Sequence, residues 1–176
     1  AGRADPHPRR SEADGADLVA AAGRPDLGDV LALDLICLRE PDGSPLDCEL
    51  HRERLAVSLP KSEWVCLRRD DELIAYGYLW PQADRSWFVG GLAIHPGFRT
   101  APVISELGAG MRDLVRMLGI GTLRSHVLVS NTASLRLHRR LGFAVEMQNE
   151  RAVAFVANGT DLLGRLPLKP IPPRSG

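Results

Sequence analysis

Apolar residues recur along this chain with two different periods, and the switches between them mark its elements. Leu18 to Ala22 suits a short strand. Arg24-Pro25-Asp26 then leads into a segment in which Leu27, Val30, Leu31, Leu35 and Leu38 fall at helical spacing. The run PDGSP has the composition of a turn, and a second helix is expected over Leu46 to Leu59. From Glu63 the period shortens to two. WVCLRR, LIAYGYLW and WFVGGLAIH read as three strands joined by the turns DDE and PQADRS, an antiparallel meander. Val103, Leu107, Met111, Leu114, Val115 and Leu118 then form one stripe of a helix that Gly119 ends. TLRSHVLV follows as a strand, Asn131 caps a helix over TASLRLHRRL, and Gly142 closes it before the strands FAVEMQ and RAVAFVA.

The resulting order is strand, two helices, three strands, helix, strand, helix and two strands, which predicts a single mixed α/β sheet over residues 17–157. The ends differ in composition. Residues 1–16 mix Pro, Gly and charge without periodicity, so they bury too little apolar surface to offset their ordering entropy and read as a disordered tail. Prolines crowd the last twelve positions, and residues 158–176 read as an extended strap.

Composition narrows the class without deciding it. The 176 residues suit one domain, and 44% hydrophobic content with 25% charge is ordinary for a globular chain. Twenty-two basic residues balance 22 acidic ones, so no global field selects nucleic acid or an anionic membrane. Cys37, Cys48 and Cys66 lack paired spacing, which suggests neither a disulfide framework nor a metal site. No apolar run approaches the roughly 20 residues that span a bilayer, and no signal-peptide segment opens the chain. A soluble, cytoplasmic protein is expected.

One strand carries an anomaly. Gly90-Gly91 interrupt the apolar run WFVGGLAI, and two glycines weaken a strand unless a bulge or a close backbone approach requires them. LAIHPGFR follows, then a helix, then SNTASLRLHRRLGF. Together these elements resemble the signature half of the GNAT acyltransferase superfamily, most strongly over residues 87–143. The resemblance implies the GNAT fold: a mixed sheet of about seven strands, mostly antiparallel, flanked by about four helices, with strands four and five splayed apart. The glycine pair fits the bulge at that splay.

The resemblance also implies a chemistry and a set of residues. Backbone N–H groups near Leu92 and Ile94 would bind the pantetheine arm of an acyl donor and polarise its thioester carbonyl, with both side chains in the core. The loop after His95-Pro96 would hold the pyrophosphate of acetyl-coenzyme A through Arg99, Thr100, Ala101, Val103 and Ile104. Arg99 matches the family pattern R/Q-x-x-G-x-G/A, whereas Pro102 and Ile104 stand where glycines are usual. Pro102 suits the first turn of a helix but has no N–H, and Ile104 places a branched side chain where backbone approaches phosphate. Weaker coenzyme A binding, a carrier-protein donor bearing a single phosphate on its phosphopantetheine, and lost catalysis all remain open.

His138 occupies the place of the tyrosine that protonates the departing thiolate in many relatives, and is the candidate general acid. Passive packing is the competing reading. Asn131 and Ser134 would contact the donor, with helix capping the ordinary role of Asn131. The usual strand-four carboxylate base is missing. Glu63, Asp84 and Glu146 read as solvated charges, His126 and His51 as plain strand and helix residues, and His95 as part of its turn. The implied reaction transfers an acyl group, acetyl by default, directly to an amine without a metal. The implied partners are a small-molecule amine and, as an alternative donor, an acyl carrier protein. Trp80 and Trp87 serve equally as pocket walls or as contacts of a homodimer. A GNAT-like domain that binds without transferring is the alternative from another class.

Overall fold

A computed structural model of the chain describes residues 19–165. The expected tail, residues 1–16, lies outside them. Seven strands form one sheet in the order β1-β2-β3-β4-β5-β7-β6: β1 Val19–Ala22, β2 Glu63–Arg69, β3 Glu72–Pro81, β4 Trp87–Ile94, β5 Thr122–Leu128, β6 Ala144–Gln148 and β7 Ala152–Asn158. Every neighbouring pair is antiparallel except β4 and β5. The helices are α1 Leu27–Cys37, α2 Cys48–Ser58, α3 Ala101–Met117, α4 Thr132–Arg140 and α5 Gly159–Arg165.

Local chemistry explains the boundaries. The side chains of Asp26, Asp47 and Asn131 accept from backbone N–H groups of Gly28, Leu50 and Ser134, satisfying donors that a helix start leaves open. Gly119 ends α3 at φ 61°, the left-handed conformation that glycine adopts without a Cβ penalty. The stripe of α3 buries Val103, Leu107, Met111, Leu114 and Val115 against one face of the sheet, with Leu123, Phe143, Phe155 and Leu162. On the other face, α1 and α2 cover Trp64, Cys66, Tyr76 and Tyr78.

Two expectations need correction. The C-terminal segment does not begin as an extended strap, because α5 packs Leu162 into the core and Asn158 Oδ1 accepts from Thr160 N at 2.8 Å. Gly159 permits this contact: a Cβ there would come within 1.8 Å of the Ile120 carbonyl oxygen. The rest of the strap lies outside the described residues. Along α1, Val30 and Leu31 are buried as their spacing suggests, whereas Leu35 is exposed and Leu33 and Asp34 are buried as well. Asp34 is only 1% exposed, and it accepts hydrogen bonds from the Tyr76 hydroxyl and, at 2.8 Å, from His51 Nε2.

Candidate active site

The site begins with a register shift. Between β3 and β4, Tyr78 pairs with Gly91 and Leu79 with Val89, so Gly90 is an extra residue, a β-bulge. Both glycines face the Tyr78 ring. A Cβ at Gly90 would lie 2.1 Å from Tyr78 Cε2, and one at Gly91 would lie 2.8 Å from Cε1. The ring itself is fixed by stacking on Trp64, with centroids 4.2 Å apart. The glycines are thus needed twice, for the bulge and for the aromatic ring lodged against it.

The bulge sits where the sheet opens. β4 and β5 pair only through Trp87↔Leu123 and Phe88↔Arg124; beyond that point no ladder joins them. His95 N donates to Ile74 O at 2.8 Å, so the N–H groups of Ile94 and Leu92, alternating with those that face β3, point toward β5. Ile94 O lies on that same edge and accepts from Arg99 Nε at 3.1 Å and Cys37 Sγ at 3.4 Å. Because β4 and β5 run parallel, the N-termini of α3 and α4 both follow strand ends at the open side of this gap. Open α/β sheets place ligands at such strand ends, and helix N-termini favour anions there.

The start of α3 offers fewer donors than a glycine loop would. Thr100 N already donates to Phe98 O at 2.8 Å, and Ile104 N to Thr100 O at 3.0 Å. Pro102 has no N–H, which leaves the amides of Ala101 and Val103 at the first turn. The Val103 side chain is buried, and that of Ile104 stands 50% exposed beside them. Leu92, expected in the core, is instead 45% exposed, because no β5 residue pairs with its edge; Ile94 is half-buried.

On α4, Asn131 Oδ1 accepts from Ser134 N at 3.0 Å, the expected cap. His138 lies one turn further and is 9% exposed, its ring 5.0 Å from that of Phe155 and 4.9 Å from Phe143. Nδ1 is 2.8 Å from Ser134 O, which can only accept, so Nδ1 carries the proton. Nε2, 2.9 Å from Ser125 Oγ, then accepts from that hydroxyl. Burial pushes the imidazole below its ordinary value, and the Ser134 carbonyl offsets this in part. The sequence suggested an imidazolium proton donor. In the structure both ring nitrogens are engaged inside the fold, and burial disfavours the charged form.

This arrangement has a pH signature. The unfolded chain binds a proton at His138 near the ordinary imidazole value of 6.5, while the folded chain resists it. Stability contributed here is therefore full above that value and falls as pH drops below it. His138→Phe is expected to flatten this part of the profile, as measured by urea unfolding across acidic pH.

Asp84, Glu146 and His126 lie around the last β4–β5 pair. Asp84 and Glu146 are not free charges: Arg124 Nε lies 3.1 Å from each Glu146 carboxylate oxygen, and its Nη1 lies 2.8 Å from Asp84 Oδ2 and from Ser86 Oγ. Ser86 first, then Arg124, holds the Asp84 carboxyl below the usual range, which makes it a weaker base. His126 is exposed on β5 and meets Phe88 edge-on at 5.1 Å. Only strand register shows that it flanks the gap.

A family model described as the Acetyltransferase (GNAT) family matches residues 30–143. The chain belongs to the GNAT acetyltransferase family. No curated protein matches it significantly. Among solved structures, this GNAT chain is similar to the ribosomal-protein-S18-alanine N-acetyltransferase of Escherichia coli, with a TM-score of 0.61 at 15% identity, covering 80% of this chain and 94% of that one. It is also similar to a Bacillus subtilis acetyltransferase in complex with CoA (TM-score 0.60, 16% identity, 81% and 99% coverage). Mutant forms of the Vibrio cholerae spermidine/spermine N-acetyltransferase align at a TM-score of 0.58 and 18% identity, covering 85% of this chain and 99% of theirs. At such identities the likeness is one of fold. Among the described residues of this GNAT domain, no helix is long and apolar enough to cross a membrane.

Proposed function

We propose that this acetyltransferase moves an acyl group, acetyl by default, from acetyl-coenzyme A to the nitrogen of a small-molecule amine by direct attack. One observation carries the reading: the β4–β5 ladder stops after Phe88 and Arg124, and the Leu92 and Ile94 amides face the space beyond. Two amides pointing into a gap suit a pantetheine arm and a thioester oxygen on which negative charge develops. Arg99 and the amides of Ala101 and Val103 receive the phosphate end, with Thr100 at the turn. Asn131 and Ser134 shape the opposite wall, and His138 holds Ser125 beside the sulfur.

A second reading concerns the donor. Only two amides remain at the first turn of α3, and the exposed Ile104 crowds them, which favours an acyl carrier protein arm with one phosphate over a pyrophosphate. Thiol release from acetyl-coenzyme A, acetyl-pantetheine and an acetylated carrier protein, each with pooled amines, separates these cases. Ile104→Gly is expected to lower KM for acetyl-coenzyme A several-fold, on the order of 1 kcal/mol of charge-assisted hydrogen bonding, with kcat and the acetyl-pantetheine KM unchanged. Equal changes for both donors would place Ile104 away from the phosphates.

A further inference from the structure

At the apex of the gap, strand register assigns two neighbouring β5 residues to opposite faces. The last ladder pair is Phe88↔Arg124. Ser125, the next residue, is buried on the α3 and α4 side, where His138 holds it. His126 projects to the opposite face. Its ring meets the edge or face of Phe88 at an interplanar angle of 87°, and Phe88 in turn stacks on Trp80 at 5.4 Å. An exposed imidazole is thereby fixed beside the opening, on the face away from the helix that carries the phosphate site.

Resting on the acyl-transfer reading above, the geometry points to His126 as the general base that takes the proton from the acceptor amine. The acceptor enters as an ammonium, the usual state of an alkylamine near neutrality, and transfers one proton to a ring nitrogen of His126. The neutral nitrogen then attacks the thioester carbonyl carbon. The C–N bond forms and the C–S bond breaks; the second excess nitrogen proton leaves with the thiolate, directly or through water. Amide and thiol depart neutral, and the imidazolium returns its proton to solvent.

The surrounding charges leave this role to the histidine. On this face β4 contributes Phe88 and no titratable side chain, and the β7 residues paired to His126 and Arg124 are Ala154 and Val156. The charged neighbours are Arg124 on β5, Glu146 on β6 and Asp84 in the β3–β4 turn, and Arg124 engages both carboxylates. Neither carboxylate is then disposed to accept the acceptor's proton, a step that a ring nitrogen of the exposed His126 can take instead.

The test is His126→Gln against alkylamines, protonated at pH 7, and arylamines, neutral at that pH. The expected result is a loss of about 100-fold in kcat/KM for alkylamines and under about 3-fold for arylamines, with thermal unfolding unchanged. The alkylamine deficit should shrink as pH approaches the amine's own pKa. Equal losses for both classes, or no loss for alkylamines, overturn the assignment while leaving acyl transfer standing. A wild-type chain that releases thiol with no donor and amine overturns the transfer reading, and this assignment with it.

Discussion

Gly90→Ala is expected to unfold at markedly lower urea concentration than the wild type and to lose acyl transfer. The added Cβ would sit 2.1 Å from a ring carbon of Tyr78, well inside contact distance. The ring has nowhere to go: it is buried, stacked on Trp64 and tilted against Tyr76 and Trp80. Overpacking a closed core costs about 1–3 kcal/mol, and a clash with a locked aromatic belongs at the upper end. If strand β4 moves to relieve it, the Leu92 and Ile94 amides move too, so activity falls further than stability. A double-mutant cycle with Tyr78→Ala separates the causes. The pair should be less destabilised than the sum of its members, since removing the ring removes the clash. Strict additivity would mean that the ring does not rest on the bulge.

Asp34→Ala should be the most destabilising polar-to-alanine change in the α1 layer. The carboxylate accepts from the Tyr76 hydroxyl and from His51 and is shielded from water, so its removal strands two buried donors and leaves a void. Leaving a buried hydrogen-bond donor unsatisfied costs about 1–3 kcal/mol each, and the void adds to it. Asp34→Asn keeps the volume and an acceptor for Tyr76, and should cost less than half as much. Burial, opposed by the Tyr76 and His51 hydrogen bonds, raises the Asp34 carboxyl above the ordinary aspartate value of 3.8. The folded chain then keeps a proton that the unfolded chain releases, and the stability tied to this group declines as pH rises from that value through the raised one. Asparagine, which cannot ionise, removes that slope. Urea midpoints for the three proteins across acidic pH check both the ranking and the sign.

Much of the architecture was legible because it is local. The glycine pair marked a bulge before any pairing was known, since glycine in an apolar strand needs a reason. The α3 stripe and the Asn131 cap follow from spacing alone. What escaped depended on contacts between distant segments. α5 was hidden because the prolines beyond it coloured the reading of the whole C-terminal segment. The Asp34 cluster joins Tyr76 and His51, 42 and 17 residues away, and no local spacing links the three. The surroundings of the two histidines escaped for the same reason. His138 matched a motif position, but its contacts with the Ser134 carbonyl and Ser125 come from the fold. His126 matched nothing, and only the place where the β4–β5 ladder stops shows which side of the gap it lies on.

Arg124 deserves a last thought for what it implies about leverage. It fastens the β3–β4 turn, β5 and β6 together at the point where β4 and β5 still touch. Strands joined at a vertex and free beyond it form a wedge, and a small rotation at the vertex is magnified along their length. The width of the gap can therefore be retuned by exchanges at positions 84, 86 or 146, whose side chains gather at the vertex rather than along the open strands.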